Sequence, residues 1–477
     1  MIILALEAST TSAKTMLFNS ETQEVRVLTR RFEISGTSAV RDGDSIFTQL
    51  MALGREAAAG HQVDAIALSS TWHGLTLRRS VLSAVTPVFE WPYTGAQGIA
   101  SLYRHDHEFK DWFYRRTGCM VNAIYPAFKL RYLKDEGAGL AGTVAMDQGS
   151  LIYARLTGNV QTSESLASGS GLLSTAAAEW DHEVLSVLGI SDVGLPDLVD
   201  GLTTAPLIAE AATLLGVKPG IPVSAPGPDG GLNQVGEGAS ELGDMTFSMG
   251  TSGALRYSVP EPSFSPSLST WTYRSPLGWL SGAATSGCGN CVDWARDLLF
   301  GKSVDFGEIE PQLKSERKDL PLFLPFLFGE RSPGWQDQRQ GGFLDMRPEH
   351  ARIDMYQGVL MGIVSSLYHC FIVLQEVNGT PDRILLSGGV TSSPFWLQLT
   401  VDMFGESMNV SSLQHASAVG AVKMGLRAQG IPDDQPALHD EEPRIVHPNE
   451  TRTKELRGEF ERYLNAYEQT RFSGSPQ

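Results

Sequence analysis

One pattern occurs twice in this chain and limits what it can fold into. An apolar strand runs into a turn of small hydroxyl residues and returns at once as a second strand. The first copy reads as a strand at 2–6, the turn Glu7, Ala8, Ser9, Thr10, Thr11 and Ser12, and a strand near 14–19. A turn at 20–22 and a third strand near 24–34 complete an antiparallel meander. A helix over 43–60, with Ile46, Leu50, Leu53 and Ala57 on one face, leads to an apolar strand at 65–68. The second copy is a strand at 245–248, the turn Met249, Gly250, Thr251, Ser252 and Gly253, and a strand through 255–259. Another apolar strand at 384–386 then runs into Ser387, Gly388 and Gly389. The distance from turn to later strand is longer in the second copy, which an insertion would explain; on pattern alone, internal duplication and two chance hairpins both stay open.

The rest of the chain is mainly helical in pattern. Residues 99–220 alternate helical periodicity with loops, 351–377 carry Met355, Val359, Ile363 and Leu367 at helical spacing, and 451–470 are amphipathic through Leu456, Phe460, Tyr463 and Tyr467. At 477 residues the chain exceeds what one core organises, about 250 to 300 residues, so two domains are expected, 1–240 and 241–477.

Composition removes several function classes. A net charge of -17, without a basic stripe, argues against nucleic acid as a partner. Four cysteines are too few for a disulfide framework, which favours a reducing compartment. The Cys288 and Cys291 pair lacks the further ligands that zinc needs, so packing in a Gly-rich loop is the expectation. The apolar N-terminal run is too short for a signal segment, and no uninterrupted apolar stretch reaches the roughly 18 residues of a membrane span. The expected location is therefore cytoplasmic, with no membrane partner; a homodimer is the one protein assembly entertained.

Several residues could carry chemistry. A turn of small hydroxyl residues can aim backbone N–H groups and short side-chain donors at one anion, so Thr10, Thr11, Ser12, Thr251 and Ser252 qualify as phosphate contacts, although either turn could be a plain hairpin. Lys14 could add a point charge to a terminal phosphate. Asp229, in Pro226-Gly227-Pro228-Asp229-Gly230-Gly231, sits where a strand at 221–225 ends and a helix at 231–237 begins. It reads as a helix cap or as a general base. Trp72 and His73 suit sugar recognition by stacking and by a donated hydrogen bond, or a buried structural pair. Gly388 and Gly389 would let backbone approach an adenosine closely.

Together these segments resemble the FGGY family of carbohydrate kinases, within the actin and hexokinase superfamily. The likeness runs from residue 2 to about 424. It is carried by Met249-Gly250-Thr251-Ser252-Gly253, by Pro325-Phe326-Leu327-Phe328-Gly329-Glu330-Arg331-Ser332-Pro333, and by Leu386-Ser387-Gly388-Gly389 followed by Trp396. His73-Gly74, Trp91, Thr117-Gly118, Lys129-Leu130, Tyr153 to Gly158 and Trp180-Asp181 fall in family order. The resemblance implies an α/β fold of two actin-like, ribonuclease H-like ATPase domains flanking a nucleotide-binding cleft for ATP and Mg²⁺. It places the catalytic base on Asp229, phosphate contacts on Thr10, Thr11, Lys14, Gly250 and Thr251, and the adenosine loop on Gly388 and Gly389. Glu330 and Arg331 would be a charged pair holding the interdomain loop.

The chain departs from the family at two places. Glu7 and Ser9 stand where the first turn usually has Asp and Gly, leaving Glu7 to reach a metal through water. Trp91-Pro92-Tyr93-Thr94-Gly95 replaces a Trp-x-Asp-x-Arg segment. The surroundings of Thr117, Tyr125 and Gly329 look most like gluconokinase-type members, with xylulokinase next. The expected activity is phosphorylation of a sugar or sugar acid, gluconate-like first and D-xylulose or another pentulose or polyol second. A catalytically impaired nucleotide- and sugar-binding protein is the alternative of another class.

Overall fold

A computed structural model describes residues 1–33, 37, 39–80, 82–439 and 444–471. The predicted meander is present as β1 (Ile2–Ala8), β2 (Ser12–Asn19) and β3 (Glu24–Arg31); the far end of the expected third strand, Ile34, lies outside the described residues. Helix α1 (Gly43–Ala58) starts where the Asp42 carboxylate accepts from the N–H groups of Asp44 and Ser45, satisfying two donors that the first turn leaves open. It buries Ile46, Leu50, Leu53 and Ala57 as its periodicity demands. Next comes β4 (Ala65–Ser70), parallel to β1. The segment up to residue 220 is largely helical and includes α2 (Pro126–Asp135) and α3 (Gln148–Thr157). Short strands β5 (Thr204–Pro206), β6 (Pro222–Ser224) and β7 (Gly227–Pro228) complete the first sheet, and α4 (Asp229–Gly236) follows directly.

The second half repeats the plan. Strands β8 (Asp244–Met249), β9 (Gly253–Val259), β10 (Trp271–Ser275) and β11 (Gly278–Thr285) form an antiparallel ribbon. Helices α5 (Gly289–Leu299) and α6 (Arg352–Asn378) precede β12 (Arg383–Gly388), α7 (Pro394–Phe404), β13 (Met408–Val410), α8 (Ala416–Ala428), β14 (Arg444–Val446) and α9 (Glu450–Arg471).

Sheet order turns the repeat into an observation. The first sheet runs β5-β6-β4-β1-β2-β3 and the second β14-β13-β12-β8-β9-β11-β10. In both, an antiparallel hairpin leads the sheet, its first strand lies parallel to the next one across, that strand is parallel to a third, and the outermost is antiparallel. Matching order and direction at every shared position favours duplication over two coincident hairpins.

The halves join through α4 and α8. Gly236 and Gly420 face each other there so closely that an added Cβ would lie 1.9 Å from the carbonyl of Ala416 or Leu232 respectively. Side chains of α8 also continue onto the first sheet, in a core containing Ile3, Ala5, Phe18, Leu232, Val419 and Val422. The long apolar helix α6 is 89% buried over its most hydrophobic window, so it is a core element of the second half.

Candidate active site

Both sheets present the same edge to one cleft. In the first, Glu7 lies beside Ser69 and Ser69 beside Gly227, so the turn after β1, the segment after β4 and Asp229 after β7 all emerge at the carboxyl ends of parallel strands. In the second, Met249 pairs with Gly253 and Gly388, which puts the Gly250–Thr251–Ser252 turn and Gly389 at the matching edge. Ligands of open α/β sheets collect at such edges because strand ends hand over to loops and helix N-termini there.

The first hydroxyl turn is braced from behind. The Ser9 hydroxyl donates to the Ser12 carbonyl at 2.8 Å and accepts from the Ser12 N–H at 3.1 Å. Arg41 Nη1 donates to the carbonyls of Ser9 at 2.7 Å and Thr10 at 3.0 Å, while Phe32 N–H takes that of Thr11. The Ser9 and Ser12 N–H groups are spent within the turn and the Thr10 hydroxyl accepts from the Trp91 indole, so the N–H groups and hydroxyls of Thr10 and Thr11 are the turn's donors toward an anion. Arg41 itself is buried and paired with Glu90, which also accepts from the Thr71 hydroxyl. Ser9, standing where a Gly was expected, takes no positive φ and closes the turn with its own side chain.

Glu7 and Lys14 meet each other. They face across β1 and β2, with Nζ to Oε1 at 2.8 Å, and the other Glu7 oxygen accepts from the Ser417 hydroxyl of α8 at 2.5 Å. Lys14 is thus already engaged, and Glu7 ties the first turn to the second half. Among the described residues no three His, Cys, Asp or Glu side chains gather so as to hold a metal ion.

At the second turn the carbonyls of Gly250 and Thr251 accept from the N–H groups of Gly289 and Asn290 at the start of α5. A cavity of about 430 Å³ opens beside it, lined by Gly250, Thr251, Phe306, Tyr356, Gly389 and Trp396 among others. Gly388 lines no part of it. With φ at 100° and an added Cβ only 2.4 Å from the Met249 carbonyl, Gly388 is there for the strand crossing, and Gly389 is the one that borders the cavity.

Asp229 is the first residue of α4, with Pro228 at the cap position, so the expected helix begins two residues earlier and its carboxylate caps no later turn. It accepts from the adjacent Gly230 N–H at 2.7 Å. Burial pushes its pKa up to about 6 against the pull of Arg256, with Glu7 adding to the rise. Arg256 projects from β9 between Gly230 and Ser248, donating to the Ser248 hydroxyl at 3.2 Å. Sequence reasoning missed it, though a lone charge inside the apolar run Gly253–Val259 was the available signal.

Behind Asp229 lies an aromatic cage drawn from both halves. Trp72 and His73 come from the loop after β4, Tyr125 from the cap of α2, and Trp271 and Tyr273 from β10. Of the two readings open for Trp72, stacking platform or buried structural residue, the ring takes the buried one. Its indole donates to the Ser165 carbonyl, and its ring wedges between Gly169 and Gly230, so its placement fixes the Asp229 turn. His73 is buried as well, and it is the donor role expected of it that the structure does not support. Its Nδ1 lies 2.6 Å from the Gly169 carbonyl, which can only accept, and burial with the nearby Arg331 lowers its pKa to about 3. The ring is therefore neutral, protonated at Nδ1, and offers Nε2 as an acceptor rather than a donor. Lys129, fully buried, donates to the carbonyls of His73, Phe89 and Glu90 and holds this loop in place.

Glu330 and Arg331 do not pair. Glu330 binds Arg339 at 3.0 Å, the Tyr467 hydroxyl at 2.6 Å and the Gly334 N–H, which makes it part of the second-half scaffold. Arg331 instead borders a cavity of about 500 Å³ between Trp91, Tyr93, Asn122 and Ile124 of the first half and Ser286, Asn290 and Leu327 of the second. Cys288 and Cys291 are buried, with thiol pKa values pushed up by burial, as packing residues would be.

Duplicated sheets whose matching edges share one cleft define a two-lobed α/β fold with its ligand site between the lobes. Residues 2–236 match the family model described as "FGGY family of carbohydrate kinases, N-terminal domain", and 245–429 the corresponding C-terminal domain. Among curated relatives, a gluconokinase of Bacillus subtilis (strain 168) is 26% identical, covering 92% of this chain and 90% of its own, and a xylulose kinase of Klebsiella pneumoniae is 24% identical, covering 91% and 92%. The crystal structure of a gluconate kinase from Lactobacillus acidophilus superposes with a TM-score of 0.90 at 24% identity, covering 99% of this chain and 98% of that one. The chain belongs to the FGGY family of carbohydrate kinases, enzymes that move a phosphoryl group from ATP to a sugar.

Proposed function

We propose that this kinase phosphorylates a hydroxyl of a small sugar acid of the gluconate class, with Asp229 as the general base. The observation that carries the reading is the position of Asp229, a carboxylate at the head of α4 where the edges of both sheets meet, with its pKa raised to about 6. A base poised near working pH accepts a proton readily yet remains ionised at neutrality.

In the reaction the substrate O–H gives its proton to Asp229 as the oxygen attacks the γ-phosphorus. The bond from γ-phosphorus to the bridging oxygen breaks, and ADP leaves with that electron pair. The hydroxyl turns at Thr10, Thr11 and Ser12 and at Gly250, Thr251 and Ser252 supply fixed donors to the phosphates, and the cavity beside Gly389 takes the adenosine. Trp72 positions Asp229, while His73 accepts from a sugar hydroxyl through Nε2. The carboxylates of Asp229 and Glu7 would hold nucleotide-borne Mg²⁺ through water, and the ion would supply positive charge to the phosphoryl oxygens. Lys14 acts through Glu7, neutralising it and setting its direction.

Likeness to xylulose kinases over more than nine-tenths of both chains supports a second substrate class, the pentuloses. A coupled ADP-release assay across aldonates, ketoses and polyols tests both. We expect turnover with at least one class, reduced about 10²- to 10⁴-fold in Asp229→Asn. Undiminished turnover in that variant would remove Asp229 from the chemistry, and silence on every sugar with ATP still bound would leave a binding protein.

A further inference from the structure

We propose that Arg256 and Arg331 form a receptor for a carboxylate on the sugar substrate and so set a preference for aldonic acids over neutral sugars. This deepens the kinase reading and rests on it. The Arg256 guanidinium lies against Gly230 beside the Trp72 ring, and Arg331 borders the cleft cavity with Asn122 and Ile124, close enough for its charge to act on Arg256. One carboxylate, Asp229, acts on Arg256, yet the two form no ion pair within 4 Å, and Asp229 must stay free to take a proton. The groups acting on Arg331 after burial itself are Tyr273, Tyr125 and Cys370, all neutral at pH 7.

Hydrogen bonding gives the same picture. Nε of Arg256 and Nε of Arg331 are both buried without a partner, and the one bond made by the Arg256 side chain is to a neutral hydroxyl, that of Ser248. Elsewhere in the fold, buried arginines meet acids: Arg41 with Glu90, Arg78 with Asp44 and Arg339 with Glu330. Both arginines are half-buried with their Nε atoms shut off from water, and positive charge with no ion-paired acid among the described residues is open to an anionic ligand whose two oxygens make charge-assisted, forked hydrogen bonds.

An anion could come from the sugar or from the nucleotide, and the surroundings favour the sugar. Arg331 acts on His73, and Arg256 on Asp229, both of the sugar side. Neither Glu7 nor Lys14, at the first phosphate turn, is among the groups acting on either arginine. The cavity that Arg331 borders, about 500 Å³, has room for a six-carbon acid.

Steady-state kinetics with D-gluconate, D-xylulose and ATP, on wild type, Arg256→Gln, Arg331→Gln and Arg331→Lys, test the proposal, with melting curves confirming that each variant folds. We expect wild type to favour gluconate in kcat/KM. Each Gln variant should raise the gluconate KM about ten- to hundredfold, as expected for loss of a charge-assisted pair, with a smaller change for xylulose, and Arg331→Lys should recover part of the loss. Equal losses on both sugars, a wild-type preference for xylulose, or a rise confined to the KM for ATP would overturn it. Calorimetric titration of D-gluconate into Asp229→Asn, with and without Arg331→Gln, separates this from the kinase reading because binding needs no turnover. Arginine-dependent binding there supports the receptor even if no sugar is phosphorylated; arginine-independent binding sinks it even if one is.

Discussion

As the proposed general base, Asp229 links activity and stability with opposite signs. Its carboxyl has an ordinary pKa near 3.8 and one of about 6 in the folded protein, so folding favours the protonated form. The resulting stability is fully present below about pH 4 and is lost as pH rises through 6. Asp229→Asn should therefore raise the melting temperature at pH 8 relative to wild type, by a free energy on the order of 2 kcal/mol, and do little at pH 4. Calorimetry at the two pH values checks this. The same pKa predicts an acidic limb in the kcat/KM profile with a midpoint near pH 6. Since Arg256 is the neighbour that holds the value down, Arg256→Gln should move that midpoint to higher pH, and an unmoved limb would assign it to another group. At this scale the sequence was legible where a motif is local. Asp229 at its strand-to-helix junction and Thr251 in its turn could be placed from neighbouring residues, whereas the neutral ring of His73 could not, because its tautomer depends on the Gly169 carbonyl about a hundred residues away.

Two elements bear the load of alignment. Where α4 crosses α8, the backbones approach at Gly236 and Gly420, and any Cβ would force the helices apart. Gly420→Ala should lower the melting temperature and depress turnover together, since α4 carries Asp229 at its other end; a stable, fully active variant would show that the crossing can relax. The first phosphate turn depends on Arg41. Replacing it with Met strips the turn of two carbonyl contacts and leaves Glu90 as an uncompensated buried acid, a change worth about 3 to 5 kcal/mol. Arg41→Met with Glu90→Gln removes the charge penalty, so a KM for ATP that stays raised in the double variant would report the turn itself. The helices and meander were readable because apolar periodicity is a local property: α1, α6 and α9 begin within a residue of their expected starts. The bracing of the turn was not readable, because Arg41 lies in a two-residue strand far along the chain from Ser9. Duplication needed the sheet order, which spacing alone obscured through the long insertion before β12.

For the molecule as a whole, the Glu7 to Ser417 hydrogen bond and the α4–α8 crossing join the halves on one side of the cleft, while the cavity lined by Trp91 and Arg331 lies between them. Asp337 of the second half also bonds Arg104 and Asn122 of the first beside that cavity, so closure on nucleotide and sugar would have to shift these contacts. Small-angle scattering with a non-hydrolysable ATP analogue and sugar together should show a smaller radius of gyration than with either alone; an unchanged radius would mean a cleft already closed. The aromatic cage has a further consequence for how enzymes of this plan can be recombined. Trp72 and His73 arise from one half, Trp271 and Tyr273 from the other, and they touch. The shape of this cage is thus jointly owned, and on the proposed site a chimera that exchanges either lobe with a relative of different taste should inherit the preference of neither parent.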